Sequence, residues 1–277
     1  MLPAISKIFE RIVFCQLYEY FDTNNLFYIS QYGFRKAHST EMACLEFIDR
    51  VMIDLDHGKT PISIFIDLSK AFDTLDHLIL LDKLEYYGLD PLSLNWFSSY
   101  LSNRNQYVQF DEISSSQNNI ATGVPQGSVL GPLLFIIYMN DLCHATKKFK
   151  PVLFADDTTL ISTLCAFVNN DLNENNPSEG INKELQCIQG WLNANKLSIN
   201  ASKTKYMVFR YRQRRNMPQL HLILNNIPIE KVQVFDFLGL TISETLDWSH
   251  HIINISKKIA KVLHYEKNKT FRSLDHY

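Results

Sequence analysis

Two amphipathic helices are predicted near the start of the chain. Apolar residues recur at helical spacing in the first, at Ile5, Ile8, Phe9, Ile12 and Val13. A polar run at residues 39–41 has the composition of a helix start and opens the second. The apolar face of that second helix consists of Cys44, Phe47, Ile48 and Val51. The intervening residues 31–35 lack this period and are predicted to form a loop.

The middle of the chain alternates between strands and helices. A short apolar strand at residues 61–66 ends at Asp67, and a helix is predicted from residue 69 to residue 87. A second helix through Trp96 and a β-ribbon between residues 107 and 124 follow. Residues 128–140 then predict a strongly apolar helix, in which Pro132 is tolerated because it lies in the first turn. This helix is expected to pack under the sheet.

Two strand-like runs, residues 151–155 and 158–161, flank a two-residue break formed by Asp156 and Asp157. This is the spacing of a tight β-hairpin, so both aspartates are expected at its tip. Adjacent carboxylates repel unless cations lie between them, which suggests a divalent metal site. Two structural interpretations stay open, because Asp-Asp is also an ordinary turn pair and Asp67 could simply cap the helix that follows it.

The last third of the chain predicts helices at both ends of a strand-rich segment. Residues 168–180 are rich in Asn and are expected to form an exposed loop. A helix comes next, then a strand at residues 205–210 and a hairpin that turns at Asn225 and Asn226. Apolar residues regain helical spacing after residue 245, at Trp248, Ile252, Ile255, Ile259 and Val262.

Composition narrows the class of protein. Of the 277 residues, 46% are hydrophobic and 20% are charged, which is the balance of a globular chain with a sizeable core. The net charge of −2 argues against a uniformly basic nucleic-acid binder. A late cluster of basic residues predicts either a local phosphate-binding strip or a solvated loop. Its members are Lys196, Lys203, Lys205, Arg210, Arg212, Arg214 and Arg215.

The cysteines and the longest apolar run indicate the cellular compartment in which the chain is expected. The five cysteines are odd in number and lack CxxC spacing, so neither a disulfide framework nor a zinc site is indicated. No signal peptide is visible, and the apolar run at residues 129–139 is too short to span a membrane. The expected location is intracellular, in a reducing compartment.

Six segments, taken in their order along the chain, resemble the reverse transcriptases of non-LTR retrotransposons of the jockey-like kind. They are residues 2–13, 31–35, 65–77, 123–142, 154–157 and 237–239. The resemblance implies an α+β right-hand polymerase fold, with an antiparallel palm sheet that carries the Asp-Asp hairpin and packs on helices. It further implies a catalytic domain at residues 1–242, with fingers at 1–60 and palm at 61–242, and the truncated start of a thumb at 243–277.

The resemblance also implies a metal centre. Asp67 and Asp156 would be direct ligands of two Mg²⁺ ions, for which Mn²⁺ can substitute, and Asp157 would be the third catalytic carboxylate. The backbone carbonyl of Leu68 would be a further ligand, because it lies where the strand gives way to the helix.

A nucleotide site is implied around these carboxylates. The amides of Ser69, Lys70 and Ala71 are expected at a helix N-terminus, where they suit a triphosphate. Phe72 would lie under the incoming sugar and clash with a ribose 2′-hydroxyl; its alternative is plain core packing. Gln126 and Gly127 would form the pocket for the nascent base pair. Lys203 would close over the triphosphate, or be a solvated lysine.

Two segments are expected to hold the nucleic acid. Arg35 would contact the phosphates of the template, although a surface arginine or a helix-flanking salt bridge is the alternative. Phe237, Leu238 and Gly239 resemble the primer grip of the family.

The implied function is that of an RNA-directed DNA polymerase, which extends a DNA primer at target DNA on an RNA template from deoxynucleoside triphosphates. The implied location is the nucleus and cytoplasm, as a ribonucleoprotein. One alternative is a truncated remnant that binds nucleic acid without copying it. Another is a two-metal nuclease, which Phe72, Gln126 and Gly127 disfavour. Because the upstream fingers and full thumb are expected to be missing, weak, distributive synthesis is predicted.

Overall fold

The structure is a computed structural model that describes residues 4–111, 113–125, 127–168, 176–214 and 216–274. Gln126, Arg215 and residues 169–175 of the predicted Asn-rich loop lie outside the described residues. The α-helices are α1 (Ala4–Thr23), α2 (Thr40–Asp56), α3 (His77–Tyr86), α4 (Pro91–Leu101), α5 (Gly131–Met139), α6 (Pro177–Ala194) and α7 (Ser249–Leu274). Two 3₁₀ helices span Asn140–Ala145 and Leu164–Phe167.

The strands are mostly short. In chain order they are β1 (Pro61–Ile66), β2 (Arg104–Gln106), β3 (Gln109–Phe110), β4 (Ile113–Ser114), β5 (Asn118–Ile120), β6 (Lys150–Phe154), β7 (Asp157–Thr163), β8 (Lys205–Val208), β9 (Ile223–Leu224), β10 (Ile227–Pro228), β11 (Glu230–Lys231), β12 (Val234–Phe237) and β13 (Leu240–Ser243). The predicted ribbon is two short ribbons, β2–β5 and β3–β4.

A five-stranded sheet with the order β11-β8-β1-β7-β6 organises the fold. The central strand β1 is antiparallel to both β7 and β8, β6 is antiparallel to β7, and only β11 runs parallel to its neighbour. All six residues of β1 are buried, as expected of a strand covered on both faces. The α+β class and the largely antiparallel sheet are therefore confirmed.

The two faces of the sheet are covered by different parts of the chain. Alternate residues of β1 point to opposite faces, so Ile62 and Ile64 join the core formed with α5 and α6, whereas Phe65 packs with Phe47 of α2 and Phe237 of β12. Eight of the nine residues of α5 are buried, which confirms the apolar helix predicted under the sheet. The second face carries the candidate site.

The first and last helices form as predicted but leave much apolar surface exposed. On α1 the predicted face is exposed, with Ile5, Ile8, Phe9 and Ile12 each more than half accessible, and the helix instead buries Glu10, Leu17, Tyr18 and Phe21. The predicted helix is therefore present, but the residues that define its apolar period are mostly not the ones that α1 buries. None of the described helices is both long and apolar enough to cross a membrane.

The helix predicted from residue 69 begins eight residues later. Residues 69–75 form turns, Lys70 has a positive φ of 50°, and α3 starts at His77. The cause is local competition for backbone donors: the Asp76 carboxylate accepts hydrogen bonds from the amides of Leu78 and Ile79 and so fixes the start of the helix there. The earlier turns are tied to another segment, because the amide of Gly123 donates to the Leu75 carbonyl.

Candidate active site

The acidic hairpin lies at the end of β6 and β7. Phe154 pairs with Asp157 and closes a two-residue loop, Ala155 and Asp156. The tip was predicted one residue later, at Asp156 and Asp157; the difference arises because Ala155 adopts a positive φ of 56° and turns the chain early. Asp157 is therefore the first residue of β7, and Asp156 lies on the turn.

The strand register brings Asp67 to this hairpin. Ile66 pairs with Thr158, so the same register continued by one residue places Asp67 opposite Asp157 on one face of the sheet. Both residues line a cleft of about 300 Å³. Desolvation raises the pKa of the Asp157 carboxyl, and the charges of Asp156 and Asp67 raise that pKa further. The Asp157 carboxyl therefore lies within the electrostatic influence of both other carboxylates.

The donor set suits a hard divalent cation. Carboxylate oxygens are preferred by Mg²⁺ and Mn²⁺, and no thiolate or imidazole lines the cleft among the described residues. Within that same described part of the chain, no three His, Cys, Asp or Glu side chains are gathered closely enough to form a ready-made metal cluster. Asp67 and Asp157 thus face the cleft, Asp156 adjoins it on the turn, and Leu68 is a buried residue bridged to Ile199.

A lysine-bearing loop is anchored to Asp67 from the other side. The Asn200 amide donates to the Asp67 carbonyl over 2.8 Å, and the Asp67 amide donates to the Thr204 hydroxyl over 3.4 Å. These bonds hold the exposed Lys203 ammonium 3.9 Å from the Asp67 carboxylate. Sequence reasoning placed Lys203 near the triphosphate, and the structure brings it to the same cleft.

The hairpin of β12 and β13 forms another wall of the cleft. Its turn consists of Leu238 and Gly239, with φ of 48° and 88°. The hairpin is held on the sheet by Phe235, whose ring stacks on Phe65 with 3.9 Å between the ring centroids. Phe237 and Leu238 line the cleft, so two of the three predicted primer-grip residues adjoin the carboxylates, while Gly239 completes the turn.

The predicted phosphate-binding amides are arranged differently from the expectation. Ser69, Lys70 and Ala71 lie in turns and not at a helix N-terminus. The Ser69 amide already donates to the Ser198 carbonyl over 2.8 Å. The argument from a helix dipole therefore fails at this position, because α3 begins six residues after Ala71.

Phe72 and Gly127 lie on two joined turns. The Val124 amide donates to the Phe72 carbonyl over 3.0 Å. The half-buried Phe72 ring stacks on Phe135, with centroids 4.3 Å apart, and meets Phe34 edge to face. Gly127 is exposed, has φ of 75°, and has open space where a Cβ would project. This arrangement leaves room for a ligand above the turn; Gln126, predicted beside it, lies outside the described residues.

Arg35 takes the alternative that was left open for it. Its guanidinium donates to the Tyr28 carbonyl, lies 5.0 Å from the centre of the Phe27 ring and 3.8 Å from the Asp22 carboxylate. The side chain is only 13% exposed. The structure therefore gives Arg35 partners within the chain, and its template contact stays a prediction.

The basic cluster is also largely paired within the chain. Its ion pairs are Lys196–Asp76, Lys205–Glu230, Arg210–Glu244 and Arg212–Asp247. Opposite charges this close cancel much of the field that a phosphate backbone would meet. Of the two interpretations, a continuous phosphate-binding strip is the less compatible with these contacts.

Two acidic residues with clear structural roles were missed by sequence reasoning, and one of them, Asp236, lies at the cleft. Glu10 of α1 is 2% exposed, and its Oε2 accepts a hydrogen bond of 2.6 Å from the Val129 amide, next to the Gly127 turn. Asp236 lines the cleft and accepts from the Thr241 hydroxyl. A charged residue among the apolar positions of α1 was the sequence feature that could have indicated a buried role for Glu10. For Asp236 the sequence offered only an acidic residue within an apolar strand.

With this geometry established, comparison with known proteins identifies the family. The sequence profile of the reverse transcriptase (RNA-dependent DNA polymerase) family matches residues 1–242. The chain belongs to this family. The resemblance predicted from six short segments is thereby confirmed, and reverse transcriptase chemistry depends in general on divalent metal ions.

Relatives of this reverse transcriptase come from mobile elements of Drosophila melanogaster. The RNA-directed DNA polymerase from the mobile element jockey is 30% identical, over an alignment that covers 95% of this chain and 29% of that protein. The probable RNA-directed DNA polymerase from the transposon X-element is 29% identical, over an alignment that covers 96% of this chain and 29% of that protein. The chain thus spans under a third of the length of these relatives.

Solved structures show the fold of this reverse transcriptase. Telomerase from Candida tropicalis, in complex with a TWJ fragment of telomeric RNA, matches with a TM-score of 0.58 and 14% identity, over 88% of this chain and 37% of that one. Telomerase from Candida albicans, in a complex of the same kind, matches with a TM-score of 0.55 and 17% identity, over 87% and 38% of the two chains. The right-hand polymerase fold is thereby confirmed.

Proposed function

We propose that this chain is the catalytic core of a non-LTR retrotransposon polymerase, which extends a DNA primer at target DNA on an RNA template from deoxynucleoside triphosphates. The observation that carries the proposal is a single cleft lined by Asp67, Asp157 and Lys203 and walled by the β12–β13 hairpin. Acidic groups beside a lysine suit a metal-bound triphosphate better than a free anion, which the carboxylates alone would repel. The active complex is a ribonucleoprotein of nucleus and cytoplasm.

The metal centre is assigned to Asp67, Asp156 and Asp157, with the Leu68 carbonyl as a further ligand. Two Mg²⁺ ions, or Mn²⁺ in their place, would supply activation of the primer hydroxyl and neutralisation of the triphosphate. The protein's own part is to hold Asp67 and the hairpin carboxylates in one register. Residues 1–60 are assigned to fingers, residues 61–242 to the palm and residues 243–277 to the start of a thumb.

The remaining residues position the substrates. Lys203 offers a cation to the triphosphate, and as a proton donor it can assist departure of the pyrophosphate. Phe72 lies under the sugar and selects against a 2′-hydroxyl, and the open turn at Gly127 admits the base pair. Phe237, Leu238 and Gly239 hold the primer end at the wall of the cleft.

The test is primer extension on an RNA template, with release of pyrophosphate as a second readout. We expect extension by the wild-type chain and a loss of about a thousandfold or more in Asp156→Asn, since a metal ion contributes several kcal/mol to such a transition state. Melting temperature and primer–template binding should stay the same. A variant that keeps a tenth of the activity would contradict the metal assignment, and primer degradation without nucleotide would indicate a nuclease. Binding without extension would indicate an inactive remnant.

A further inference from the structure

A loop near the start of the chain is built against the acidic hairpin. Within residues 30–33, here called the bracing segment, the Ser30 carbonyl accepts a hydrogen bond of 2.9 Å from the Leu153 amide. The Tyr32 amide donates to the Leu153 carbonyl over 2.7 Å. Gln31 and Leu153 form a parallel bridge. The bracing segment therefore extends the five-stranded sheet beyond β6, and it reaches the hairpin turn at its end.

Gln31 contacts that turn directly. Its side chain is fully buried, and its Oε1 accepts from the amides of Gly33, over 2.8 Å, and Ala155, over 3.3 Å. Ala155 immediately precedes Asp156. The Gln31 Oε1 thus accepts from one amide of the bracing segment and from one amide of the hairpin turn. This shared acceptor couples the position of the turn to that of the bracing segment.

Gly33 makes the contact possible through its lack of a side chain. A Cβ at this position would lie 2.1 Å from the Ala155 nitrogen and 2.9 Å from the Phe154 carbonyl carbon. The φ of Gly33 is not positive, so close approach is the reason for glycine here, and backbone strain is not. The atoms that would be displaced are backbone atoms of the turn that carries Asp156.

The bracing segment is fixed in turn to α2. Glu46 accepts hydrogen bonds from the hydroxyls of Ser30 and Tyr32 and forms an ion pair with Arg50. The segment is thus held at one side by a helix and at the other by the hairpin. A rigid support of this kind is what a catalytic carboxylate needs, because a misplacement of about 1 Å can cost a hundredfold in rate.

We propose that Gln31 and Gly33 are positioning residues that set the place of the Ala155–Asp156 turn, and hence of the Asp156 carboxylate, relative to Asp67. This inference rests on the proposed function of Asp156. It predicts that disturbing the bracing segment lowers the rate of the catalytic step and the affinity for a divalent ion. Nucleotide affinity should stay unchanged, since neither Gln31 nor Gly33 lines the cleft.

The experiment compares Gly33→Ala and Gln31→Met with a matched control, Gly190→Ala. Gly190 lies in α6 with open space around its Cβ position, so alanine there adds the same atom without a clash. The first readout is amide hydrogen exchange of residues 153–157 in the free protein. The second is the affinity for Mn²⁺ without nucleic acid. The third readout is the steady-state kinetics of primer extension, which show whether kcat or the nucleotide KM changes.

We expect exchange at Ala155 to rise about tenfold in both test variants, as loss of one hydrogen bond implies, and Mn²⁺ affinity to fall by a similar factor. In primer extension, kcat should fall about ten- to a hundredfold and nucleotide KM stay within about twofold. Exchange in α6 reports whether each variant is folded. If Gly33→Ala does not fold, Gln31→Met decides the outcome, because it removes the Oε1 acceptor together with an amide nitrogen that has no hydrogen-bond partner among the described residues.

Exchange and Mn²⁺ affinity equal to those of Gly190→Ala would overturn the proposal, whatever the polymerase activity. If the wild-type chain copies no template but the exchange and Mn²⁺ changes occur, the positioning role stands and the proposed function fails. A large rise in nucleotide KM with unchanged kcat would also overturn the proposal, because it would mean that the segment acts on the substrate.

Discussion

Two turns of the chain, the turn of the acidic hairpin and the turn at Gly127, are built in opposite ways. At the hairpin turn, Gly33 lies so close to Ala155 that even a methyl group would collide with backbone atoms. At the other turn, Gly127 is exposed, and a Cβ would meet nothing within 4 Å. At the hairpin turn, glycine therefore allows two backbone segments to pack closely. At the other turn, glycine allows a positive φ and leaves the space beside the backbone open.

The difference follows from what each turn has to hold. Asp156 and Asp157 repel each other and Asp67, so their turn needs support that resists displacement. A turn that admits a nucleotide needs space and an exposed backbone. The hairpin turn is thus supported by protein, whereas the Gly127 turn is open, as the nucleotide site proposed there requires.

The largest effect is expected from the braced side, at Asp67. Asp67→Asn keeps the shape of the side chain but removes a charge that faces Asp157, so kcat should fall about a thousandfold or more. The control is Asp111→Asn, at an exposed residue with φ of 52° that asparagine tolerates well. Single-turnover extension measures both, and comparable losses in the two variants would contradict the role of Asp67.

The next effect concerns sugar selection at Phe72. Phe72→Val should open space beside Phe135 and reduce discrimination against ribonucleotides about a hundredfold, since a clash of a few kcal/mol corresponds to that factor. The ratio of kcat/KM for deoxy- and ribonucleotides is the measurement, with the exposed Phe110→Val as control. Unchanged discrimination would mean that Phe72 is only a packing residue.

A smaller effect is expected on the open side, at Gly127. Gly127→Ala should raise nucleotide KM about tenfold, because the new methyl group projects into the space left for substrate. Gly58→Ala is a close control, since Gly58 has a similar φ of 71° and equally open surroundings. Both variants should lose about 1 kcal/mol of stability from the positive φ. Equal KM values for the two would show that the turn does not face the nucleotide.

The smallest expected effect is a change in thermal stability when Asp157 is replaced. Because its pKa is raised in the folded chain, the stabilising contribution of the protonated carboxyl is complete below the ordinary aspartate pKa and is lost as the pH rises through the folded value. Metal-free Asp157→Asn should therefore melt on the order of a degree higher than wild type at neutral pH. The gain should vanish in acid; a gain that grows on acidification would contradict the assigned direction.

Local patterns predicted the elements and the carboxylates well. The apolar run of α5, the strand before Asp67 and the acidic hairpin all follow from period and turn chemistry. The start of α3 was predicted too early, because Asp76 caps the helix at His77 and a hydrogen bond from the distant Gly123 amide to the Leu75 carbonyl holds the turns before it. Propensity over a few residues does not contain that information.

Contacts that follow no helical or strand period could not be predicted from the sequence. Arg35 resembled a phosphate contact, yet Phe27 and Tyr28, close to it in the chain, hold its side chain through a loop conformation that no period predicts. The close approach of Gly33 to Ala155 spans more than a hundred residues, and no period predicts it. The family resemblance placed both residues in a motif but could not tell which of them supports the site.

The most direct test of the account replaces the divalent ion with Fe²⁺ and maps the backbone cuts made by the hydroxyl radicals it generates. We predict backbone cuts at Asp67 and at residues 155–157. Near Gly127 and Lys203, the extent of cutting should change only when nucleotide is present. The hairpin cuts should disappear in Asp156→Asn. Cuts confined to other parts of the chain, or a pattern that Asp156→Asn leaves unchanged, would contradict a metal centre at the braced carboxylates.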